Sequence, residues 1–220
     1  MGNHETTNRL LGRVRLDRDE LIDRFRRTRS RSVNIAEPLS PEDMTVQVAT
    51  HASPIKWHLA HTTWFFETFV LEQHDSSFAP YDPAFRVLFN SYYRGIGDRP
   101  ARDCRGFITR PGIGEVLAYR DTVDERLSKV IASLSGDDLA RALAVLELGI
   151  QHEQQHQELM LTDIKLTLAA SPLWPAYLNE HADDDTNPVI REPARRENAD
   201  GEPFIAFDAG VIAEICGANG

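Results

Sequence analysis

The sequence predicts an all-α fold: a bundle of four long helices with one elaborate connection, then a linker and the first strand of a second domain. Three observations carry this expectation. Apolar residues recur at helical spacing through most of the first 170 positions. Residues 75–111 break that pattern with glycines, prolines, tyrosines and arginines, and so long a connection inside a compact domain is usually functional. After Pro172 large apolar side chains thin out until the stretch from Phe204 to Ile212, which has strand character. The predicted organisation is a helical bundle over residues 1–178, a linker over 179–203 and the opening of a second domain over 204–220. That last stretch is too short to fold alone, so the chain reads as ending just inside the second domain.

The first helix is predicted from about Asp17 to Ala36, with Leu21, Ile22 and Phe25 on one face and arginines on the others. Ser40-Pro41-Glu42-Asp43 reads as a helix start, with a capping serine, a proline at the first helical position and acids in the first turn. Ser53-Pro54 repeats that signal. The helix it opens runs to about Gln73, with Ile55, Leu59, Phe66 and Phe69 or Val70 turned inward. Val116, Tyr119, Val123, Leu127 and Val130 mark the third long helix, and the fourth spans about Asp137 to Ala170.

Composition narrows the function classes. Lys and Arg total 24 against 34 Asp and Glu, a net charge of -10, which argues against nucleic acid as the main partner. No apolar run reaches the roughly 20 residues that span a bilayer, and the N-terminus does not read as a secretory signal. Cys104 and Cys216 lie far apart and suggest no disulfide framework. A soluble cytoplasmic protein is expected.

The strongest chemical feature is Gln151-His152-Glu153-Gln154-Gln155-His156-Gln157-Glu158. Histidines four apart on a helix share a face and can reach one metal ion. Val145, Leu148, Gly149, Leu159 and Asp163 fall on that face too, which sets the pair in the apolar stripe a bundle buries. Asp163, two turns on, is placed to orient an imidazole from outside the ligand set. The octet also fits the H-E-x-x-H pattern of zinc peptidases, with Glu153 as general base, but His181 and Glu180 in the linker are poor third ligands. His58 and His61 upstream are better. Either can supply the third imidazole, and His58 has the alternative of a hydrogen-bonded core or rim histidine. Three neutral imidazoles leave open coordination positions, as catalysis requires, and suit Zn, Fe, Cu and Ni alike.

These residues also carry a resemblance. Ser53-Pro54-Ile55-Lys56-Trp57-His58-Leu59-Ala60-His61-Thr62-Thr63-Trp64-Phe65-Phe66-Glu67, Leu88-Phe89-Asn90-Ser91-Tyr92-Tyr93, Gly106-Phe107-Ile108-Thr109-Arg110-Pro111 and His152 to Met160 closely resemble the ergothioneine-biosynthesis sulfoxide synthases. The motifs come in that family's order and cover about residues 20 to 180, its DinB-like four-helix domain. The resemblance implies a mononuclear non-haem iron(II), Fe(2+), held by His61, His152 and His156, and so prefers His61 over His58. It implies an O2-dependent coupling of a thiol, cysteine or γ-glutamylcysteine, to the imidazole C2 of hercynine, giving a sulfoxide. Tyr92 and Tyr93 match tyrosines that sit at the iron in the cysteine-using branch, where a phenol can donate a hydrogen bond or a proton. Gln155 matches a glutamine that contacts hercynine, and Arg102, ahead of Arg99 and Arg105, is the expected clamp for the donor carboxylate. The family also carries a second domain resembling the formylglycine-generating enzyme, which Phe204 to Gly220 would open. Its remainder is expected in cis or in trans. Ovothiol and selenoneine synthases share the helical domain, a DinB-like thiol transferase using Zn or Ni needs no second domain, and a non-catalytic helical partner module is the remaining class.

Overall fold

The computed structural model describes residues 17–91 and 100–178, and the backbone of residues 196–197 and 203–204. Helix α1 (Arg18–Ala36) begins where Asp17 accepts hydrogen bonds from the backbone N–H groups of Asp19 and Glu20 at 3.0 and 2.9 Å, which satisfies two of the donors a helix start leaves free. Helix α2 (Ile55–Phe66) continues through a π-helical turn (Glu67–Leu71) into the short α3 (Glu72–His74). The connection that follows holds α4 (Phe85–Leu88) and a 3₁₀ segment (Arg102–Phe107). Helices α5 (Ile113–Ser133) and α6 (Gly136–Ala170) complete four long rods, the all-α bundle that periodicity predicts. Among the described residues no helix is long and apolar enough to cross a membrane.

Three features depart from the sequence reading. Ser40 and Asp43 do exchange the expected capping bonds, Asp43 Oδ2 accepting from the Ser40 N–H at 3.0 Å and Ser40 Oγ from the Asp43 N–H at 3.1 Å. Only a turn follows, because the chain is diverted to brace the start of α2: the Lys56 N–H donates to the Met44 carbonyl at 2.9 Å. The arginines of α1 are not all on outer faces, for Arg29 is buried. Helix α2 has no outer face, since all twelve of its residues are buried. It is the central rod, packed against α5 and α6.

By its internal contacts the chain divides into Met1–Leu178 and Asn179–Gly220. In the second unit β1 (Arg196–Glu197) pairs antiparallel with β2 (Pro203–Phe204), with Arg196 opposite Phe204. That pairing joins the segment expected as linker to the first residue of the expected strand, Phe204, since backbone hydrogen bonds need no apolar side chains. Of the strand expected over Phe204–Ile212, Phe204 is described and lies in β2, and positions 205–212 lie outside the described residues.

One close approach sets the spacing of α2 and α6. A Cβ built on Gly149 would lie 2.3 Å from the Phe66 ring, a distance no carbon pair tolerates. Glycine inside a helix costs up to about 1 kcal/mol relative to alanine, so the tight packing outweighs propensity here. Gly149→Ala is expected to lower stability by about 1–3 kcal/mol through overpacking, read as a lower urea midpoint; an unchanged or higher midpoint would show that Phe66 moves aside freely.

Candidate metal centre

His61 on α2 and His152 and His156 on α6 each offer a ligand atom, and these atoms all lie within 4.8 Å of one another. Ring centroids are 5.1 Å apart for His61 and His152, 4.9 Å for His61 and His156 and 4.6 Å for His152 and His156. Of the two histidines that spacing left open, His61 is the one whose ligand atom lies with those of His152 and His156. His58 is the hydrogen-bonded core alternative, 2% exposed.

Each ring is set by its neighbours. The His61 imidazole is stacked between Trp57, four residues before it, at 4.5 Å, and Trp64, three after it, at 5.5 Å. Its Nδ1 donates to the Phe89 carbonyl at 2.7 Å, which leaves the Nε2 lone pair free. His156 Nδ1 meets His58 Nδ1 at 2.8 Å. Phe65 lies 4.8 Å from the His152 ring, whose buried Nδ1 has no hydrogen-bond partner among the described residues. A buried polar atom left unpaired is costly, and its natural partner at this place is a ligand.

Burial pushes all four imidazoles toward the neutral form. His61 is held well below the usual histidine range, first by burial and next by His152. Burial takes His152 down to about 4. His156 is lowered by burial and then by His58, His61 and His152 around it, and His58 is lowered by burial against the opposing pull of Asp163. Neutral rings keep a lone pair each, which is the form that ligates a metal. The three-imidazole set therefore fits a divalent transition metal with open positions, and imidazole alone does not choose among Zn, Fe, Cu and Ni.

The triad forms one wall of a cavity of about 460 Å³, also lined by Ser53, Trp57, His58, Ser91, Arg102, Arg105, Gln155 and Leu159. Its opening follows from the position of the histidines on α6. They do not sit in the middle of the buried stripe, as the sequence pattern implied, but along its edge: Gly149 and Asp163 are buried, while Leu148 is 59% and Leu159 37% exposed. Gln155 and Arg102, both expected as substrate contacts, line this cavity from exposed positions, and the Arg102 guanidinium donates to the His51 carbonyl. Tyr92, Tyr93 and Arg99 lie outside the described residues.

Arg105 is the buried cation of this cavity. Its guanidinium carbon sits 3.3 Å from the Trp57 ring centroid, on the ring that stacks on His61, and its nitrogens donate to Ser53 Oγ at 2.9 Å and Ser91 Oγ at 3.1 Å. The sequence reading ranked it behind Arg102 because nothing local separates the arginines of an irregular loop; Trp57, four residues before His61, was the available signal. A larger open groove of about 630 Å³ runs past Gln47, Lys56 and Phe107, where Lys56 Nζ is already held by the carbonyls of Ile108 and Thr109 at 2.9 and 3.2 Å.

Glu153 is not in the cavity. It is fully buried on the other side of α6, where Oε2 accepts from Arg29 at 2.9 Å and Oε1 from Arg120 at 2.9 Å and Ser32 Oγ at 2.7 Å. A carboxylate sealed between two guanidiniums cannot take a proton from a water in the cavity, so the zinc-peptidase role for Glu153 fails on geometry. Gln157 is buried with it, donating to the Thr28 carbonyl at 2.8 Å.

Comparison with curated proteins gives no match. A family model, described as the DinB superfamily, matches residues 24–160, a span that runs from within α1 through both histidines of α6. The chain belongs to the DinB superfamily.

Proposed function

We propose that this chain is the metal-binding helical domain of a non-haem iron(II) sulfoxide synthase of ergothioneine biosynthesis, acting on hercynine and on cysteine or γ-glutamylcysteine. The observation that carries the reading is the convergence of three neutral imidazoles from two helices on the wall of a cavity whose other walls are cationic and amide-bearing. That donor set fits iron(II), although it suits other metals too, and the order of the four sequence motifs supports iron. The reaction breaks the imidazole C2–H and the thiol S–H bonds, forms a C–S and an S–O bond, and reduces O2 to the sulfoxide oxygen and water. Iron(II), when bound, supplies the one-electron chemistry that lets O2 react with closed-shell partners.

The chain's own residues do the rest. Arg105, clamped on Trp57 and bonded to Ser53 and Ser91, and Arg102 at the mouth present positive charge to a carboxylate-bearing thiol. Gln155 offers both an amide donor and an acceptor to the second substrate's imidazole. Tyr92 and Tyr93 follow Ser91, itself a cavity residue, and either phenol is proposed to hand a proton to the reacting centre. A second domain, in cis or in trans, is proposed to close the pocket, by analogy with the enzymes this chain resembles.

Reconstitution with Fe(II) under anaerobic conditions, followed by O2 addition with hercynine and cysteine, tests the reading. Consumption of one O2 per hercynine with a product of sulfoxide mass is the expected result. Metal-dependent transfer of the thiol to an electrophile without O2 uptake would instead favour a DinB-like thiol S-transferase, a reading supported by a family match that reaches only the superfamily.

A further inference from the structure

Two buried polar side chains beside the triad are not members of it. His58 is one helical turn before His61 on α2, and Asp163 is two turns after His156 on α6, 8% exposed. They form a chain of contacts. Asp163 Oδ2 lies 3.0 Å from His58 Nε2, and His58 Nδ1 lies 2.8 Å from His156 Nδ1. The same carboxylate oxygen accepts the Ser53 backbone N–H at 2.9 Å, which pins it against the start of α2.

The partners dictate where the hydrogens are. A carboxylate only accepts, so His58 Nε2 carries the N–H. A neutral imidazole has one N–H, so His58 Nδ1 is a lone pair, and the hydrogen in the 2.8 Å contact belongs to His156 Nδ1. His156 then keeps its lone pair on Nε2. The opposite tautomer of His156 would set two lone pairs against each other at 2.8 Å in a buried place.

We propose that Asp163 and His58 are positioning residues: a carboxylate–imidazole relay that holds His156 in the Nε2-ligating tautomer and aims its ring at the metal. The proposal rests on the metal centre described above. Histidine ligands commonly gain orientation and donor strength from a partner on the other ring nitrogen. Here that partner is a second imidazole, and the carboxylate stands one ring further back. His61 has a backbone carbonyl in the same role, so two of the three ligands are set from outside the triad.

The test is a Co2+ titration of the apoprotein, followed by the visible ligand-field bands and by competition with a chelating indicator. His58→Phe keeps a ring in the core but offers no acceptor to His156. It is expected to bind one Co2+ with an affinity about 10–100-fold lower and with shifted bands. Asp163→Asn keeps an oxygen for His58 Nε2 and for the Ser53 N–H but removes the charge, and is expected to fall between. Wild-type affinity and bands in folded His58→Phe, with only a lower unfolding midpoint, would reduce His58 to a packing residue and overturn the relay. Complete loss of Co2+ from folded His58→Phe would also overturn it, since His58 would then be a ligand. Should His58→Phe not fold by far-ultraviolet circular dichroism, Asp163→Asn decides alone, weaker binding with shifted bands supporting the relay and wild-type values overturning it. If the wild-type chain takes up no Co2+, the metal centre itself falls, a failure distinct from unchanged binding in the variants.

Discussion

Replacing His152 with alanine is expected to abolish stoichiometric metal binding while leaving the bundle folded. The argument is that His152 contributes a lone pair and little else. Its Nδ1 has no hydrogen-bond partner among the described residues, and its ring is half-buried at the edge of the cavity. Truncation therefore strands no donor or acceptor. Two neutral imidazoles remain, and two such ligands with no carboxylate or thiolate hold a divalent ion poorly. The loss should exceed the about 10–100-fold that follows removal of an outer hydrogen bond. His156→Ala should also empty the site, but at a greater cost in stability, because it leaves the His58 Nδ1 lone pair buried and unpaired. Metal analysis of protein reconstituted anaerobically with Fe(II), beside urea melts of the apoproteins, separates the two effects. A His152→Ala protein with wild-type metal content would remove the ion from this triad.

Much of this was legible in the residues, and the misses have physical causes. Helices α1, α5 and α6 are amphipathic, so Leu21, Phe25, Val123, Leu127 and their neighbours announce both period and face. Helix α2 announces its start and its run to about Gln73, but not its face. A rod buried on every side has no polar stripe, and Lys56, Thr62 and Thr63 are buried with Trp57 and Leu59. The π-helical turn leaves no trace in composition. It holds Glu67, which accepts from the Tyr119 hydroxyl at 2.5 Å and the Tyr81 N–H at 2.8 Å, partners 52 and 14 positions away. At the site, spacing identifies the pair on α6 because i and i+4 share a face in any helix. Spacing alone left His58 and His61 open and only the resemblance preferred His61; the structural reason lies in distant segments, for Phe89 meets one ring and Asp163 the other. Asp163 does meet an imidazole, but that of His58, one step removed from His156. Tyr92 and Tyr93 fall outside the described residues.

The second large effect concerns Glu153, whose place in an H-E-x-x-H string invites a catalytic role that its surroundings deny. Burial alone pushes its carboxyl up; the Arg29 and Arg120 guanidiniums, with hydrogen bonds from Arg29 and Ser32, outweigh burial and hold it down at about 2. Arg29 also grips Asp124 through Nε at 2.8 Å, so two cations and two carboxylates neutralise one another inside the bundle. Glu153→Gln keeps the shape and removes one negative charge, leaving a guanidinium uncompensated. Breaking a buried pair from one side costs about 3–5 kcal/mol, a large share of the 5–15 kcal/mol that holds a typical domain folded. The pH dependence carries a definite sign. A carboxyl depressed from 4.5 to about 2 on folding stabilises fully above the upper value and progressively less as pH falls through the lower one. The gap between wild type and Glu153→Gln is therefore expected to be widest near neutrality and to close between about pH 5 and 2. Glu67, whose carboxyl burial raises without any part played by Glu153, is present in both proteins, so its titration cancels in the difference; Asp124, raised by burial and in part by Glu153, is eased toward its charged form in the variant. Urea unfolding of the two apoproteins across that range measures the gap directly. A Glu153→Gln protein as stable as wild type at pH 7, yet stripped of activity, would return Glu153 to the reacting centre; a destabilised variant whose deficit fades in acid assigns it to the scaffold that holds His152 and His156 in place.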